Sequence, residues 1–225
     1  MQVTIREAEF AYGPGAFALR VPELEIDAGE RIACIGPSGS GKTTLLRLLA
    51  GIYIPRTGTV TVGEHTIHDF TDIGRRDYRI QNVGFIFQDF RLIDYLNVRE
   101  NMLLPWRISA ALTLDEGVYT HLQSIAEALD LTSHLEAAID TLSQGEQQRA
   151  AIGRALLPQP GLLLADEPTG NLDPANKDRI LDLLFEQAAE SKATLMMVTH
   201  DHALLDRFDR VIDFAQFLVT EDAYA

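Results

Sequence analysis

The sequence predicts an α/β fold in which a helical insert interrupts a core of strands and helices. In the first and last parts of the chain, short apolar runs typical of buried strands alternate with helical patterns. In the middle of the chain the strand patterns disappear and helical patterns replace them. We therefore expect one domain over residues 1–225, with the core and a β subdomain in residues 1–88 and 159–225 and a helical subdomain in residues 89–158.

The first part of the chain is expected to begin with strands. The alternation over Val3 to Phe10 predicts an edge-type strand, and Leu19 to Ile26 predicts a second strand. The run Arg31 to Ile35 predicts a short buried strand, in which Cys34 is a small core residue. The patterns that follow predict a helix over Lys42 to Ala50, a hairpin over Gly58 to Ile67 and a strand over Asn82 to Gln88.

The rest of the chain is expected to be helical first and then mixed. Within the insert, the apolar spacing over Asp115 to Asp130 predicts a helix. Strands are expected to return at Leu162 to Ala165 and at Thr194 to Thr199, with a helix over Pro174 to Ser191 between them. The last segment, Arg210 to Val219, is predicted to be a strand.

The composition restricts which classes of binding partner and which cellular compartment are expected. The formal net charge of −14 argues against a nucleic-acid partner and against direct adhesion to anionic lipid. A single cysteine leaves no internal disulfide and fits a reducing interior. No apolar run approaches the length that spans a bilayer, and the N-terminus has no secretory signal. We therefore expect a cytoplasmic protein that works at a membrane only where another chain holds it.

A glycine-rich loop separates the strand at Arg31 to Ile35 from the helix that begins at Lys42. Its sequence, Gly36-Pro37-Ser38-Gly39-Ser40-Gly41-Lys42-Thr43, fits the Walker A phosphate-binding pattern in full. The glycines allow backbone N–H groups to wrap a phosphate. The Lys42 ammonium can neutralise β and γ phosphates, and the Thr43 hydroxyl can bind Mg²⁺. The strand and helix on either side favour a nucleotide site over a simple Gly/Ser turn.

Polar residues stand at the ends of three other predicted strands. Asp166 ends one of them and is placed to hold Mg²⁺, while Glu167 can act as general base beside a γ-phosphate. Gln88 and His200 end two more strands, at the edge of a parallel sheet where ligands bind. The remaining histidines lack partners at metal-ligand spacing and are expected on the surface: His65, His68, His121, His134 and His202.

The stretch Leu142 to Arg149 places a serine and a glycine at the start of a predicted helix. Free backbone N–H groups at a helix N-terminus attract anions. Ser143 and Gly145 are therefore candidates for a phosphate contact. Their position shortly before the strand that ends at Asp166 points to one phosphate-handling region.

Together these stretches resemble the ATP-binding-cassette (ABC) ATPases, over about residues 1–214. The order and spacing of several motifs carry the resemblance, whereas a glycine-rich loop alone would indicate only nucleotide binding. By resemblance, the positions are Tyr12 for the adenine-stacking aromatic, Gly36 to Thr44 for Walker A, Gln88 for the Q-loop, Ser143, Gln144, Gly145 and Glu146 for the signature, Asp166 and Glu167 for Walker B, Asp173 for the D-loop and His200 for the switch histidine. The implied fold is a P-loop NTPase (RecA-like) core with an antiparallel β subdomain and an inserted α-helical subdomain.

The resemblance also implies a mechanism that needs two copies of the chain. Two cassettes close head to tail over two ATP molecules with Mg²⁺, and Ser143 and Gly145 of one copy enclose the γ-phosphate held by Walker A of the other. The helical subdomain then rests on an integral membrane permease. The implied metal ligands are Thr43, Gln88 and Asp166, and the implied catalytic residues are Gln88, Glu167 and His200.

Two signature positions depart from the family's commonest sequence. Gln144 stands where glycine is commonest, and Glu146 stands where glutamine is commonest. Ser143 and Gly145, which bear on the phosphate, are retained. We therefore expect an active ATPase in which Gln144 is the position where dimer closure differs.

The stretch Ala165 to Asp173 most resembles the lipoprotein-release, macrolide-export and cell-division cassettes (LolD, MacB and FtsE types). This implies an ATPase subunit on the inner face of the cell membrane that drives an exporter or mechanotransmission-type complex, with lipoprotein, peptide or drug-like cargo. The alternative is a cell-division-type signalling cassette that gates a periplasmic activity without transport. A chromosome-maintenance ATPase is disfavoured because the insert is short and lacks sustained heptads, and a P-loop kinase has no use for the signature stretch.

An apolar cluster directly follows Gln88. Our hypothesis is that it lines the groove that receives a cytoplasmic helix of the permease, as the resemblance implies, rather than forming only the core of the insert. Its members are Phe90, Leu92, Ile93, Tyr95 and Leu96.

Overall fold

Two β-sheets organise the computed structural model, which describes residues 1–13, 18–170, 172 and 174–217. The four-stranded sheet is antiparallel, in the order β2-β1-β4-β5. The five-stranded sheet is parallel, in the order β6-β7-β8-β3-β9. The strands are β1 (Val3–Ala11), β2 (Ala18–Ile26), β3 (Arg31–Ile35), β4 (Thr57–Val62), β5 (His65–Thr66), β6 (Val83–Ile86), β7 (Leu162–Asp166), β8 (Thr194–Val198) and β9 (Arg210–Asp213).

Alternate residues of the parallel strands face two separate hydrophobic cores, because successive side chains of a strand point to opposite faces. In β3, Ala33 packs into one core, and Ile32 and Cys34 pack into the other. Every residue of β7 and β8 is buried, which explains their continuous apolar sequences. Cys34 is fully buried, so its predicted core role is confirmed.

Helices cover both faces of the parallel sheet. They are α1 (Lys42–Leu49), α2 (Asp72–Asn82) and α7 (Pro174–Glu190). Leu45 and Leu49 of α1 belong to the core shared with the antiparallel sheet, whereas Leu181 and Leu184 of α7 belong to the other core. The carboxyl ends of the parallel strands remain open at one edge, which is the usual place for a ligand in such folds.

The segment between β6 and β7 is helical, with α3 (Val98–Met102), α4 (Leu104–Ile108), α5 (Glu116–Ala128) and α6 (Gln144–Leu156). Ser143 and Glu146 form a capping box at the start of α6, in which each side chain accepts the other residue's backbone N–H. Farther along, α6 lies so close to β6 that a Cβ atom added at Gly84 would be 2.4 Å from the carbonyl oxygen of Ala155. The helix is thus fixed against the strand that leads to Gln88.

The α/β fold class is confirmed, and most predicted strands and helices are present within a few residues of their expected ends. The edge-type assignment of the first strand is wrong, because β1 lies between β2 and β4. Alternation of apolar residues reports which face is buried, not whether both hydrogen-bonding edges are paired. Among the described residues, no helix has both the length and the apolar character that a membrane span requires.

The predicted strand over Arg210 to Val219 is too long. The strand ends at Asp213, whose carboxylate accepts the backbone N–H of Ala215 and begins a 3₁₀ turn over Phe214–Phe217. Phe214 is fully buried, so apolar character here reflects core packing rather than a strand. Residues 218 and 219 lie outside the described residues.

Candidate active site

The glycine-rich loop lies between the end of β3 and the start of α1, at the open edge of the sheet. Gly36, Gly39 and Gly41 have φ values of 135°, 78° and 99°, which side chains rarely tolerate. The Lys42 ammonium donates to the carbonyl oxygens of Gly36 and Pro37, both at 2.8 Å. Burial lowers the pKa of Lys42, and the carboxylates of Glu167 and Asp166 oppose that shift. The loop therefore holds its lysine where a phosphate can bind it.

Two hydroxyl groups of the loop fit a phosphate and its metal. The Ser40 side chain is 1% exposed, and its Oγ has no hydrogen-bond partner among the described residues. An unpartnered buried hydroxyl is costly unless a ligand satisfies it. The Thr43 hydroxyl is hydrogen-bonded to Asp166. Both groups match what a nucleotide phosphate and a bound cation need.

Asp166 ends β7 with its carboxylate nearly buried. Burial raises the pKa of Asp166, while the hydrogen bond from Thr43 and the charges of Arg47 and Lys42 lower it. No cluster of three or more His, Cys, Asp or Glu side chains that could hold a metal occurs in the described part of the chain. The donors fit Mg²⁺ nonetheless, because that ion usually takes one or two carboxylates and completes its shell with phosphate and water.

Glu167 directly follows β7, and its carboxylate contacts a residue beyond the end of β6 and a residue beyond the end of β8. Its Oε1 lies 2.9 Å from His200 Nε2, and its Oε2 accepts a hydrogen bond from Gln88 Nε2 at 3.4 Å. Its φ is 52°, a left-handed conformation that costs on the order of 1–3 kcal/mol for a residue with a side chain. This turn directs the carboxylate toward the loop that holds Lys42, and the backbone N–H of Glu167 donates to Val198 O at 3.1 Å.

A cavity at this edge contains most of the predicted site residues. It is lined by Tyr12, Ser38, Gly39, Gly41, Lys42, Thr43, Thr44, Gln88, Glu167, Val198 and His200. Tyr12 stands at its rim, half exposed, and its hydroxyl shares a 2.9 Å hydrogen bond with Thr44 Oγ1. Phe10 and Tyr53 meet the Tyr12 ring edge-on, at centroid distances of 5.1 and 5.6 Å.

The signature residues do not line this cavity. Ser143 Oγ donates to Glu146 Oε2 at 2.7 Å, and His134 Nε2 lies 3.4 Å from Glu146 Oε1. The hydrogen bonds from Ser143 lower the pKa of Glu146. The His134 side chain is 38% exposed, in line with its predicted surface position, and it also pairs with Glu146. The predicted D-loop residue Asp173 lies outside the described residues.

The apolar cluster after Gln88 contains both buried and exposed residues. Phe90 is only 9% exposed and so belongs to the interior, whereas Tyr95 is 86% exposed. A nearby apolar groove is lined instead by Arg79, Ile80, Val83, Phe85, Phe87, Arg91, Leu104, Pro105, Ile108, Arg154, Ala155 and Pro158. None of the five predicted residues lines that groove. Phe90 and Arg91 have left-handed φ values of 58° and 51°. That the cluster receives a permease helix stays a prediction.

Arg154 of α6 is a residue of this region that sequence reasoning missed. Its guanidinium donates to the carbonyl oxygens of Phe90 and Arg91, which follow Gln88 and Asp89 in the chain. No sequence signal distinguishes it from other helical arginines, because its partners are backbone atoms more than 60 residues away.

Comparison with known proteins shows a family and several relatives to which this chain is similar. A family model described as "ABC transporter" matches residues 19–170. YbbA of Escherichia coli K12, described as an uncharacterized ABC transporter ATP-binding protein, is 38% identical over 224 residues, which cover 98% of this chain and 97% of YbbA. LolD of Legionella pneumophila strain Lens, the ATP-binding protein of a lipoprotein-releasing system, is 40% identical over 196 residues, covering 86% of this chain and 85% of LolD.

The comparison with solved structures also finds an ATP-binding cassette. The cassette MJ0796, in a dimeric post-hydrolysis state bound to ADP and Pi, superposes with a TM-score of 0.84 at 29% identity. The match covers 94% of this chain and 93% of MJ0796.

Proposed function

We propose that this chain, which belongs to the family of ABC transporter ATP-binding proteins and hydrolyses ATP, works as a pair of cassettes that close over two ATP molecules and drive a membrane permease. The observation that carries the proposal is the separation of Ser143 and Gly145 from the cavity that holds Lys42 and Glu167. One chain offers a nucleotide face and, elsewhere, an exposed helix N-terminus suited to phosphate. Two copies in opposite orientation supply both halves of each site.

In the proposed site, the loop amides, Ser40 Oγ and Lys42 bind the phosphates, and Tyr12 stacks on the adenine. Thr43 and Asp166, with Gln88 beside them, hold Mg²⁺, which neutralises charge on the phosphates when it is bound. These contacts position the terminal phosphate before Glu167.

Three residues at the strand ends carry out proton transfer and charge stabilisation: Gln88, Glu167 and His200. Glu167 takes the proton of the attacking water, because its carboxylate lines the same cavity as Lys42, which holds the phosphates. His200 and Gln88 hold the two carboxylate oxygens and fix their direction. His200 then lies close enough to contact the γ-phosphate.

We further propose that the permease is of the lipoprotein-release type, with the chain attached to the cytoplasmic face of the membrane. The similarity to LolD supports this assignment, and the net charge of −14 favours attachment through a protein over attachment through anionic lipid. The apolar groove beside α4 supports it as well, because Leu104, Pro105 and Ile108 leave an uncovered apolar surface between Arg79 and Arg91.

The dimer is tested by Gly145→Asp in a background that also carries Glu167→Gln. A Cβ atom at Gly145 would be 3.4 Å from Leu172, an ordinary contact, so the fold accepts a side chain there. The carboxylate would face the partner's ATP, and we expect ATP-dependent association to weaken at least ~100-fold, because like charges across an interface cost several kcal/mol. Sedimentation velocity with Mg–ATP measures association, and nucleotide binding to the monomer is expected to be unchanged.

Gly117→Asp, at the start of α5, is the matched control and should leave association intact. An unchanged ATP-dependent dimer in the Gly145→Asp variant would contradict the trans role of the signature.

The permease surface is tested by Ile108→Glu, since Ile108 is 64% exposed and lines the groove. A charge placed in an apolar interface is expected to reduce recovery of the co-purified permease roughly tenfold or more. Ile73→Glu is the control, because Ile73 is 69% exposed but lies outside the groove. Quantitative mass spectrometry of membrane protein bound to the tagged chain measures the effect, and equal recovery with both variants would exclude the groove.

A further inference from the structure

Arg154 links the signature helix α6 to the backbone that follows Gln88. Its Nη2 donates to Phe90 O at 2.5 Å, and its Nη1 donates to Arg91 O. Burial lowers the pKa of Arg154 to about 10, and no carboxylate lies within ion-pair distance of it among the described residues. The two carbonyl oxygens therefore provide the compensation that a partly buried cation needs.

The two residues that Arg154 holds share an uncommon backbone conformation. Phe90 and Arg91 are consecutive left-handed residues with side chains, and Phe90 is packed in the interior. Such residues keep this conformation only where their surroundings fix it. Two short-range hydrogen bonds contribute, from Phe90 N to Phe87 O at 3.1 Å and from Arg91 N to Asp89 O at 2.6 Å. The two hydrogen bonds from the Arg154 guanidinium are the long-range contribution to this backbone conformation.

The same helix also reaches the other side of the active site. Gln148 lies in α6, nearer to its start than Arg154. It is 1% exposed, and its side chain donates to the carbonyl oxygen of Pro168, the residue directly after Glu167. One rigid helix thus contacts the loops that follow both Gln88 and Glu167. Its N-terminus, with Ser143, lies roughly 16 Å from Arg154 at 1.5 Å per residue.

We propose that Arg154 is a positioning residue for ATP hydrolysis: by clamping the left-handed turn at Phe90 and Arg91, it sets Gln88 against Glu167 and ties their geometry to the orientation of the signature helix. A movement of α6 is transmitted through the guanidinium to the turn and so to Gln88. The inference rests on the ATPase activity of the family and does not depend on the identity of the permease.

The test compares steady-state hydrolysis of Mg–ATP by the purified full chain and its variants. Arg154→Lys keeps the positive charge but loses the planar guanidinium, whose two nitrogens donate to two carbonyl oxygens at once. We expect its kcat to fall roughly tenfold or more, since a misplacement of about 1 Å in an active site can cost ~10² in rate. The KM for ATP should change by less than about twofold, because the phosphate-binding loop is untouched.

Rescue distinguishes positioning from general destabilisation. Glycine adopts the left-handed conformation freely, so Arg91→Gly relieves one of the two left-handed residues and makes the turn depend less on Arg154. Added to Arg154→Lys, it should restore at least half of the lost kcat, with the kcat of the Arg91→Gly single variant measured as the reference for the double variant. Arg107→Lys, at an exposed arginine paired with Glu100, is the control and should leave kcat unchanged.

Two results would overturn the proposal. One is a wild-type kcat in Arg154→Lys. The other is a kcat loss that Arg91→Gly leaves unrescued and that follows a fall in the melting temperature. Should Arg154→Lys not fold, Arg154→Gln provides the same comparison without a buried charge. Failure of the dimer proposal is a separate result, because Gly145→Asp measures it as association.

Discussion

Glu167→Gln is expected to bind Mg–ATP normally and to hydrolyse it roughly 10²–10⁴-fold more slowly, the range that a general base contributes. The substitution preserves the shape of the side chain, and an amide can still bond to Gln88 and His200, which lie 3.4 and 2.9 Å from the carboxylate. The capacity to accept a proton is lost, together with the negative charge that acts on Lys42. The effect should therefore fall on kcat and leave the affinity for ATP nearly unchanged.

A second consequence follows from the proposed dimer. If closure over two ATP molecules precedes hydrolysis, the variant stops after closure and the dimer accumulates in Mg–ATP. Phosphate release measures the rate, and size-exclusion chromatography with and without Mg–ATP measures the dimer. Glu186→Gln, at an exposed position of α7, is the control. A wild-type turnover rate in Glu167→Gln would remove Glu167 from the role of base.

The convergence of Gln88, Glu167 and His200 is the part of the site that the sequence predicts best. Each residue directly follows or closes an apolar strand, and parallel strands bring their carboxyl ends to one edge. The structure brings the three side chains into contact at the ends of β6, β7 and β8. This prediction works because it needs only the strand boundaries and the rule of parallel topology, and both are readable in short apolar runs.

Contacts to distant backbone atoms could not be predicted in the same way. Arg154 and Gln148 are ordinary helical residues in the sequence, and their roles depend on which carbonyl groups the tertiary fold places beside them. The pairing of His134 with Glu146 likewise depends on where a 3₁₀ turn meets the start of α6. Side-chain bonds over such separations have no local pattern.

Helix α2 was also missing from the prediction, for a different reason. Only Tyr78 of its residues is buried, and Ile73, Tyr78 and Ile80 are its only large apolar side chains, so its strongly polar sequence offers few apolar positions for a helical pattern. The local signal was its capping residue, since Thr71 accepts a hydrogen bond from the backbone N–H of Gly74. Polar helices at the rim of a sheet are therefore better sought through caps than through periodicity.

Lys42→Ala is expected to weaken nucleotide binding roughly 10- to 100-fold. Hydrogen bonds to charged groups contribute about 1.5–3 kcal/mol, and each 1.4 kcal/mol corresponds to a factor of ten in affinity. The Lys42 ammonium is the cation that the loop itself holds in place, through the carbonyl oxygens of Gly36 and Pro37. Arg47 and the other arginines near the cavity do not line it, so no neighbouring side chain replaces the lost charge.

Equilibrium binding of a fluorescent ATP analogue measures the change. Lys192→Ala, at an exposed turn after α7, removes the same charge at a remote position and should bind as the wild type does. Equal affinities for the Lys42→Ala chain and the wild type would contradict the phosphate site.

The pH dependence of binding gives the same prediction an independent readout. Burial lowers the pKa of Lys42 below its ordinary value of 10.5, and only the protonated amine attracts phosphate. As the pH rises through the lowered pKa, the free protein loses the charge and the affinity for ATP must fall. In Lys42→Ala this fall disappears, because no group remains to titrate there. A wild-type affinity that stays constant over this alkaline range would show that the ammonium does not bind the phosphates, whatever the effect of the substitution on the loop.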